Sequence, residues 1–460
     1  MKYLFFVAAL AGIAPATLLM LCDRRWIRWG TLGLSVPILV FDSTAINFLS
    51  HELYRGTSRG MEISLIYIVA VSLLLTFTIL GKRVRLMPDM GSVIYICYFF
   101  CCLPSLLNAE SVLFSFFELW KMCMIYLVFL AVYHYLDYSH GDYDILLYGI
   151  AWVVGYNFFL LVIQHYQGVY QARGVFPHQN SMAMYMMMAG TLFFSRAFNC
   201  REHYRSWIFL LAFILSSVLL VRTYSRGALF CYPICGLLTM FCSYLRGFSL
   251  RKFYLSNLLL IVAMIGLLLF LPRIIQRFET APKSSGQTRK NLAIAALNMI
   301  QDKPVAGVGL NNWGIKINPP YDYSRHRDPK KGFTDDHKDG IVETIYLLVA
   351  AECGIPCFIL LLTWFGYYWV LSIRLLWRFR HSRYFYLPAG SFGALTGVYL
   401  QSSLEWVLKQ QINFMWLMIF FAFLGYLNRN SKELLTEEEK ARAALQEALA
   451  EKKRTKAGTV

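Results

Sequence analysis

The residues best suited to chemistry in this chain are four arginines: Arg173, Arg222, Arg226 and Arg289. Arg173 opens the segment Arg173-Gly174-Val175-Phe176-Pro177-His178-Gln179-Asn180. Arg222 and Arg226 flank Thr223-Tyr224-Ser225, and Arg289 lies just before an apparent helix. A guanidinium fork grips phosphate oxygens bidentately. Several such forks suit a diphosphate, on which charge develops as it leaves a sugar carbon. An attacking hydroxyl then needs orientation and a base within hydrogen-bond reach, and Glu343 and His337 are of the right type. Lys121, with Glu118 one turn earlier, is a further candidate cation.

Each residue also has a plainer reading. Arg173 and Arg226 read as interfacial anchors, and Lys121 as the partner of Glu118 or a snorkelling side chain. Glu343 reads as an acid favoured near a helix N-terminus. His178 and Asn180 read either as caps of the next helix or as residues positioning an acceptor or loop. Asp335-Asp336-His337-Lys338-Asp339 is most simply a solvated loop; carboxylates and a histidine can ligate a metal, but the spacing fits no specific site.

The elements that must carry these side chains follow from composition. Hydrophobic residues make up 57% of the 460, and charged residues only 15%. A soluble domain averages roughly 25% charged, so a soluble multidomain enzyme and a disordered chain are both excluded. A spanning helix needs about 20 mostly apolar residues, and the bilayer forces spanning backbone into helices. The expectation is an all-α polytopic membrane protein of about 12–13 transmembrane helices. Its apolar runs lie near 3–21, 29–41, 62–80, 91–107, 116–136, 144–163, 181–195, 207–221, 227–245, 255–271, 342–373, 385–403 and 411–427.

Lys and Arg total 44 against 27 Asp and Glu, a net charge of +17. Every second connector is basic, which orients those connectors and the tail to the cytoplasm. Nucleic acid is not needed to explain the excess. The chain divides into an N-terminal transmembrane bundle of about ten helices (1–271), a large outward loop (272–341), C-terminal transmembrane helices (342–428) and a charged helical tail (429–460). Lys2 and Ala14-Pro15-Ala16 leave a signal peptide open, but Arg24, Arg25 and Arg28 favour a retained span. Within the loop, residues 288–300 read as an amphipathic helix with Leu292, Ala295, Ala296 and Met299 on one face. Asp302-Lys303-Pro304 stops it. The glycines of Gly307-Val308-Gly309 suit a turn that brings backbone close to a ligand or another segment.

At these residues the chain resembles the O-antigen ligase and O-antigen polymerase superfamily of bacterial envelope polysaccharide assembly. The resemblance rests on Arg173 to Asn180, Ser225-Arg226-Gly227, the Arg289 helix leading to Pro304 and Gly307-Val308-Gly309, and Tyr346-Leu347 leading to Glu352-Cys353-Gly354-Ile355-Pro356. It implies about a dozen helices and one large periplasmic loop with short helices. It further implies inverting transfer of a glycan from undecaprenyl diphosphate to a glycan, lipid or protein acceptor, with no metal and no cofactor. Arg173, Arg226 and Arg289 would hold the donor diphosphate, with Arg222 and Lys121 as further cations. The superfamily usually carries a His-Asn pair after the large loop, where Glu343 and Thr344 stand here. That departure keeps open a catalytically divergent homologue acting in a complex. A transporter or flippase of the lipid-linked glycan is the competing non-enzyme reading.

Overall fold

The computed structural model describes residues 2–36, 45–51, 54, 56–199, 203–279, 283–321, 323–324 and 340–457. Among them the fold is helical, as the apolar composition requires. The N-terminal apolar run forms two short helices, α1 (Lys2–Ala11) and α2 (Ile13–Cys22), followed by α3 (Arg24–Ser35). Asp23 separates the last two and caps α3, its carboxylate accepting from the Arg25 amide at 2.8 Å. Helix α3 is amphipathic, burying Ile27, Thr31 and Leu34. It is thus a half-exposed helix of 12 residues, where the expected run was 29–41.

A feature not anticipated from the sequence follows. Strands β1 (Ile46–Ser50) and β2 (Gly60–Ile63) pair antiparallel, with a bulge between Asn47 and Ser50. The bundle continues through α4 (Leu65–Ile79), α5 (Met90–Cys102), α6 (Val112–Tyr138), α7 (Asp144–Tyr166), α8 (Gln179–Asn199), α9 (His203–Arg222) and α10 (Arg226–Leu245). Then come α11 (Leu250–Glu279), α12 (Lys283–Asp302), the single turn α13 (Trp313–Lys316), α14 (Ile345–Arg378), α15 (Tyr386–Ser402), α16 (Gln411–Arg429) and α17 (Ser431–Ala457). Six helical segments among the described residues are long and apolar enough to cross a membrane: 90–108, 112–138, 144–166, 226–245, 345–378 and 411–429. Three shorter apolar helices, Ile13–Cys22, Leu65–Ile79 and Ser206–Arg222, accompany them. The protein is an all-α polytopic membrane protein.

Helices α8 and α16 form the centre and are buried almost all round. Met182, Met184, Met186, Met187 and Met188 of α8 are all fully enclosed. Unbranched methionines adapt to irregular gaps between neighbouring helices. The small residues of α15, including Gly390, Gly393 and Gly397, let it lie close against α8 and α10. A Cβ on Gly390 would meet Leu192, and one on Gly393 would meet the Cys235 carbonyl.

Helix α14 is broken at Gly354 (φ 86°, ψ 172°), two residues before Pro356. Proline has no N–H to give its helix, and the glycine turns the chain away. The backbone groups left over are taken up by residues 304–309. Val308 and Gly309 donate to the carbonyls of Ala351 (2.9 Å) and Glu352 (3.0 Å), and the Ile355 amide donates to Pro304 (2.8 Å). A Cβ at Gly307 would collide with the Glu352 backbone. The glycines here therefore serve backbone–backbone approach.

The same turn is locked from its other side. Asn311, in left-handed backbone (φ 54°), accepts from the Thr57 amide at 2.9 Å. It donates to the Ser58 carbonyl (2.9 Å) and the Phe114 carbonyl (2.8 Å). Asn312 accepts from the Ser111 amide at 2.9 Å. Helix α12 then lays Leu292, Ala295, Ala296 and Met299 on Val308, Trp313, Leu348 and Ala351. That apolar seam fixes how Arg289, one turn before Leu292, is presented.

Candidate functional site

Five chain segments meet around a cavity of about 400 Å³, one of them the loop before α8 through Gln171. Helix α8 brings Asn180, the start of α10 brings Arg226, α12 brings Arg289, and the connector after α15 brings Glu405. Ser225, Arg226 and Gly227, the cap and first two residues of α10, all lie on the wall. The first-turn N–H groups of a helix and the positive end of its dipole favour an anion there. Arg289 is joined to Glu343 by an ion pair, so Glu343 stands just behind the guanidinium.

Glu405 is the residue that the sequence reading missed. It is only 7% exposed. The Asn180 side-chain amide donates to it. Burial pushes its carboxyl up to about 7, with the neighbouring Glu343 charge adding to the rise. Arg289, the Asn180 amide and Arg226 oppose that rise. A carboxyl so placed exchanges its proton near neutral pH. The available signal was a lone acid and a lone lysine, Glu405 and Lys409, in the short connector between apolar runs 385–403 and 411–427.

The structure thus brings Asn180, Arg226, Arg289 and Glu343 together and sets the other candidates apart. Arg222 is buried, with its guanidinium on the His165 ring at 3.1 Å and the Tyr224 hydroxyl at 3.4 Å. Its carbonyl accepts from the Ala172 amide at 3.1 Å, which ties the 171–173 segment to the α9–α10 turn. Arg173 is exposed and absent from the cavity wall. Its amide rests on the Gln164 side chain at 3.2 Å, beside a left-handed Gly174. His178 accepts from the Asn180 amide at 3.2 Å through Nδ1, and burial with the adjacent Arg173 charge pushes its imidazole below the usual value. His337 and the rest of Asp335–Asp339 lie outside the described residues.

Lys121 belongs to a separate buried cluster. Its ammonium sits 2.6 Å from Glu118 and donates to the Lys409 carbonyl at 3.0 Å and the Thr57 carbonyl at 3.2 Å. Lys409 bridges Glu118 (3.7 Å) and Glu352 (3.3 Å), and Glu352 accepts from the Trp313 amide at 3.3 Å. Buried charges persist only when paired and hydrogen-bonded. Each charge here meets the other sign, so the cluster braces α6, α14 and the 403–410 connector that carries Glu405.

Residues 211–362 match the family model described as O-antigen ligase. That match agrees with the superfamily resemblance drawn from the motifs. The O-antigen ligase match takes in Arg222, Arg226, Arg289, Glu343 and the Gly354 kink. Asn180 and Glu405 complete the cavity wall from outside the matched residues. No curated protein matches the chain. The match supports glycan transfer of the ligase or polymerase type in general.

Proposed function

We propose that this protein transfers a glycan from undecaprenyl diphosphate to an acceptor hydroxyl at the periplasmic face of the bacterial inner membrane. The observation that carries the reading is the shared cavity, whose wall holds Arg226, Arg289, a helix N-terminus and the Glu405 carboxyl together. Arg226, Arg289 and the first turn of α10 hold the diphosphate and take up the charge that develops as it departs. The acceptor oxygen attacks the anomeric carbon from the opposite face and inverts it. The bond from that carbon to the phosphate oxygen breaks, and its electron pair leaves on the diphosphate. Glu405 accepts the hydroxyl proton, and Asn180 holds Glu405 in place. Glu343 acts behind Arg289 as its orienting partner. A diphosphate is a good leaving group, so the reaction needs little help from a general acid. The large segment after α11 is periplasmic in this reading, and the tail helix α17 is cytoplasmic.

The test is transfer by the purified full-length protein in proteoliposomes, given an undecaprenyl-diphosphate glycan and an acceptor. A new glycosidic product, lost in Arg226→Ala and Arg289→Ala, is expected. Movement of the lipid-linked glycan across the bilayer without any new bond would replace this reading with a transporter. Full transfer by both arginine variants would remove the assigned site.

A further inference from the structure

At the end of α10 and α15 remote from the cavity lies a second feature of different chemistry. An apolar groove of about 250 Å³ runs between the last turns of α10 and α14, floored by the start of α15. Leu238, Phe241 and Leu245 form one wall; Ile373, Leu376 and Trp377 form the other. Phe385 and Phe392 lie beneath. Both walls are membrane-crossing segments, and Phe241, Leu245 and Trp377 are exposed. Such a groove opens to hydrocarbon.

Its rim is charged. Arg246 and Arg380 both line it. Arg246 is held in place: its guanidinium donates to the Ser382 carbonyl at 3.0 Å and lies 5.2 Å over the Phe385 ring. Arg380 is exposed. Arg246 also lines an adjoining polar cavity of about 480 Å³, where Arg383 and Arg442 face Asp142, Asp144 and Glu438. A slot for an apolar chain thus ends at two guanidiniums beside a polar chamber. Basic pockets between membrane helices recognise lipid phosphates in this way.

We infer that this groove binds an anionic phospholipid, with an acyl chain between α10 and α14 and the headgroup phosphate on Arg246 and Arg380. The complementarity is specific to a lipid. A free phosphate has no use for the apolar walls, and a zwitterionic lipid brings its own cation beside the two guanidiniums at the rim. The site is independent of the glycan-transfer reading, since it touches none of the cavity residues.

The experiment is native mass spectrometry of the full-length protein with equimolar phosphatidylglycerol and phosphatidylcholine of identical chains. Wild type should retain phosphatidylglycerol about 25-fold over phosphatidylcholine, about fivefold for each of the two cations. Arg380→Gln should cut that ratio about fivefold, with Arg246 supplying what remains. Because Arg380 is exposed, this change leaves the packing intact. Leu238→Trp, which fills the groove, should lower retention of both lipids. Parity in wild type would overturn the inference, as would an undiminished ratio in Arg380→Gln. Displacement of the lipid by glycerol phosphate at the same concentration would also overturn it, in favour of a free-phosphate site.

Discussion

Arg289 and Glu343 close an ion pair between α12 and the residues that lead into α14. The pair spans two segments that the Leu292–Met299 seam already presses together, so it orients a guanidinium without having to hold the fold. Both side chains are partly exposed, at 38% and 36%, which makes the pair a weak source of stability.

That division of labour predicts unequal losses. Arg289→Ala should cut the turnover number by about 100-fold, the usual effect of removing one group that stabilises transition-state charge. Glu343→Gln should cost roughly tenfold, because a displaced guanidinium still binds, only less well aligned. Initial rates across a donor titration measure both. Equal losses in the two variants would promote Glu343 from orienting partner to a group acting on the substrate.

Glu405 predicts a pH profile. Its carboxyl is raised from an ordinary value of 4.5 to about 7. As a base it works only when ionised, so kcat/KM should climb with pH through about 7 and then level off. Glu405→Gln should flatten that limb and lower the plateau about 100-fold or more. Stability runs the other way. A folded-state value raised above the unfolded one contributes stability that is complete below 4.5 and lost as pH rises through about 7. Melting temperatures of wild type should therefore fall across that window relative to Glu405→Gln. An activity limb that survives in Glu405→Gln would assign the titration to another group.

The buried quartet predicts a stability effect with its own control. Lys409→Met leaves Glu118 and Glu352 without their shared partner. Breaking a buried pair on one side costs about 3–5 kcal/mol. The double change Lys409→Met with Glu352→Gln should recover part of that loss. Thermal unfolding of the detergent-solubilised protein reads both, and a single variant as stable as wild type would contradict the pairing.

Gly354→Ala tests the docking of 304–309 on α14. The backbone at φ 86°, ψ 172° is a region that only glycine enters readily. The substitution should cost about 1–3 kcal/mol and release the Val308 and Gly309 amides to solvent exchange. Hydrogen exchange at those two amides separates this local release from general unfolding.

Much of this was legible in the sequence wherever the signal was local. The apolar total demanded a helical membrane protein. The 3.6-residue spacing of Leu292, Ala295, Ala296 and Met299 already named the face that α12 buries. Gly307 and Gly309 already marked a close backbone approach. What the sequence could not show were partnerships across long chain separations. Asn180 and Glu405 are 225 residues apart, and Asn311 meets Ser58 across 253. No periodicity records such a meeting. Lys121 illustrates the converse: its sequence allowed either a functional cation or the partner of Glu118, and its neighbours show the pairing. The β1–β2 hairpin was missed because short, half-buried strands were overshadowed by apolar helices on either side.

The kink at Gly354 has a consequence for how such a protein can change over generations. Its union with residues 304–309 is made by main-chain groups, which are the same whatever side chain is attached. Val305, 73% exposed within that stretch, is free to drift. The scaffold can therefore stay constant while exposed side chains along the union change.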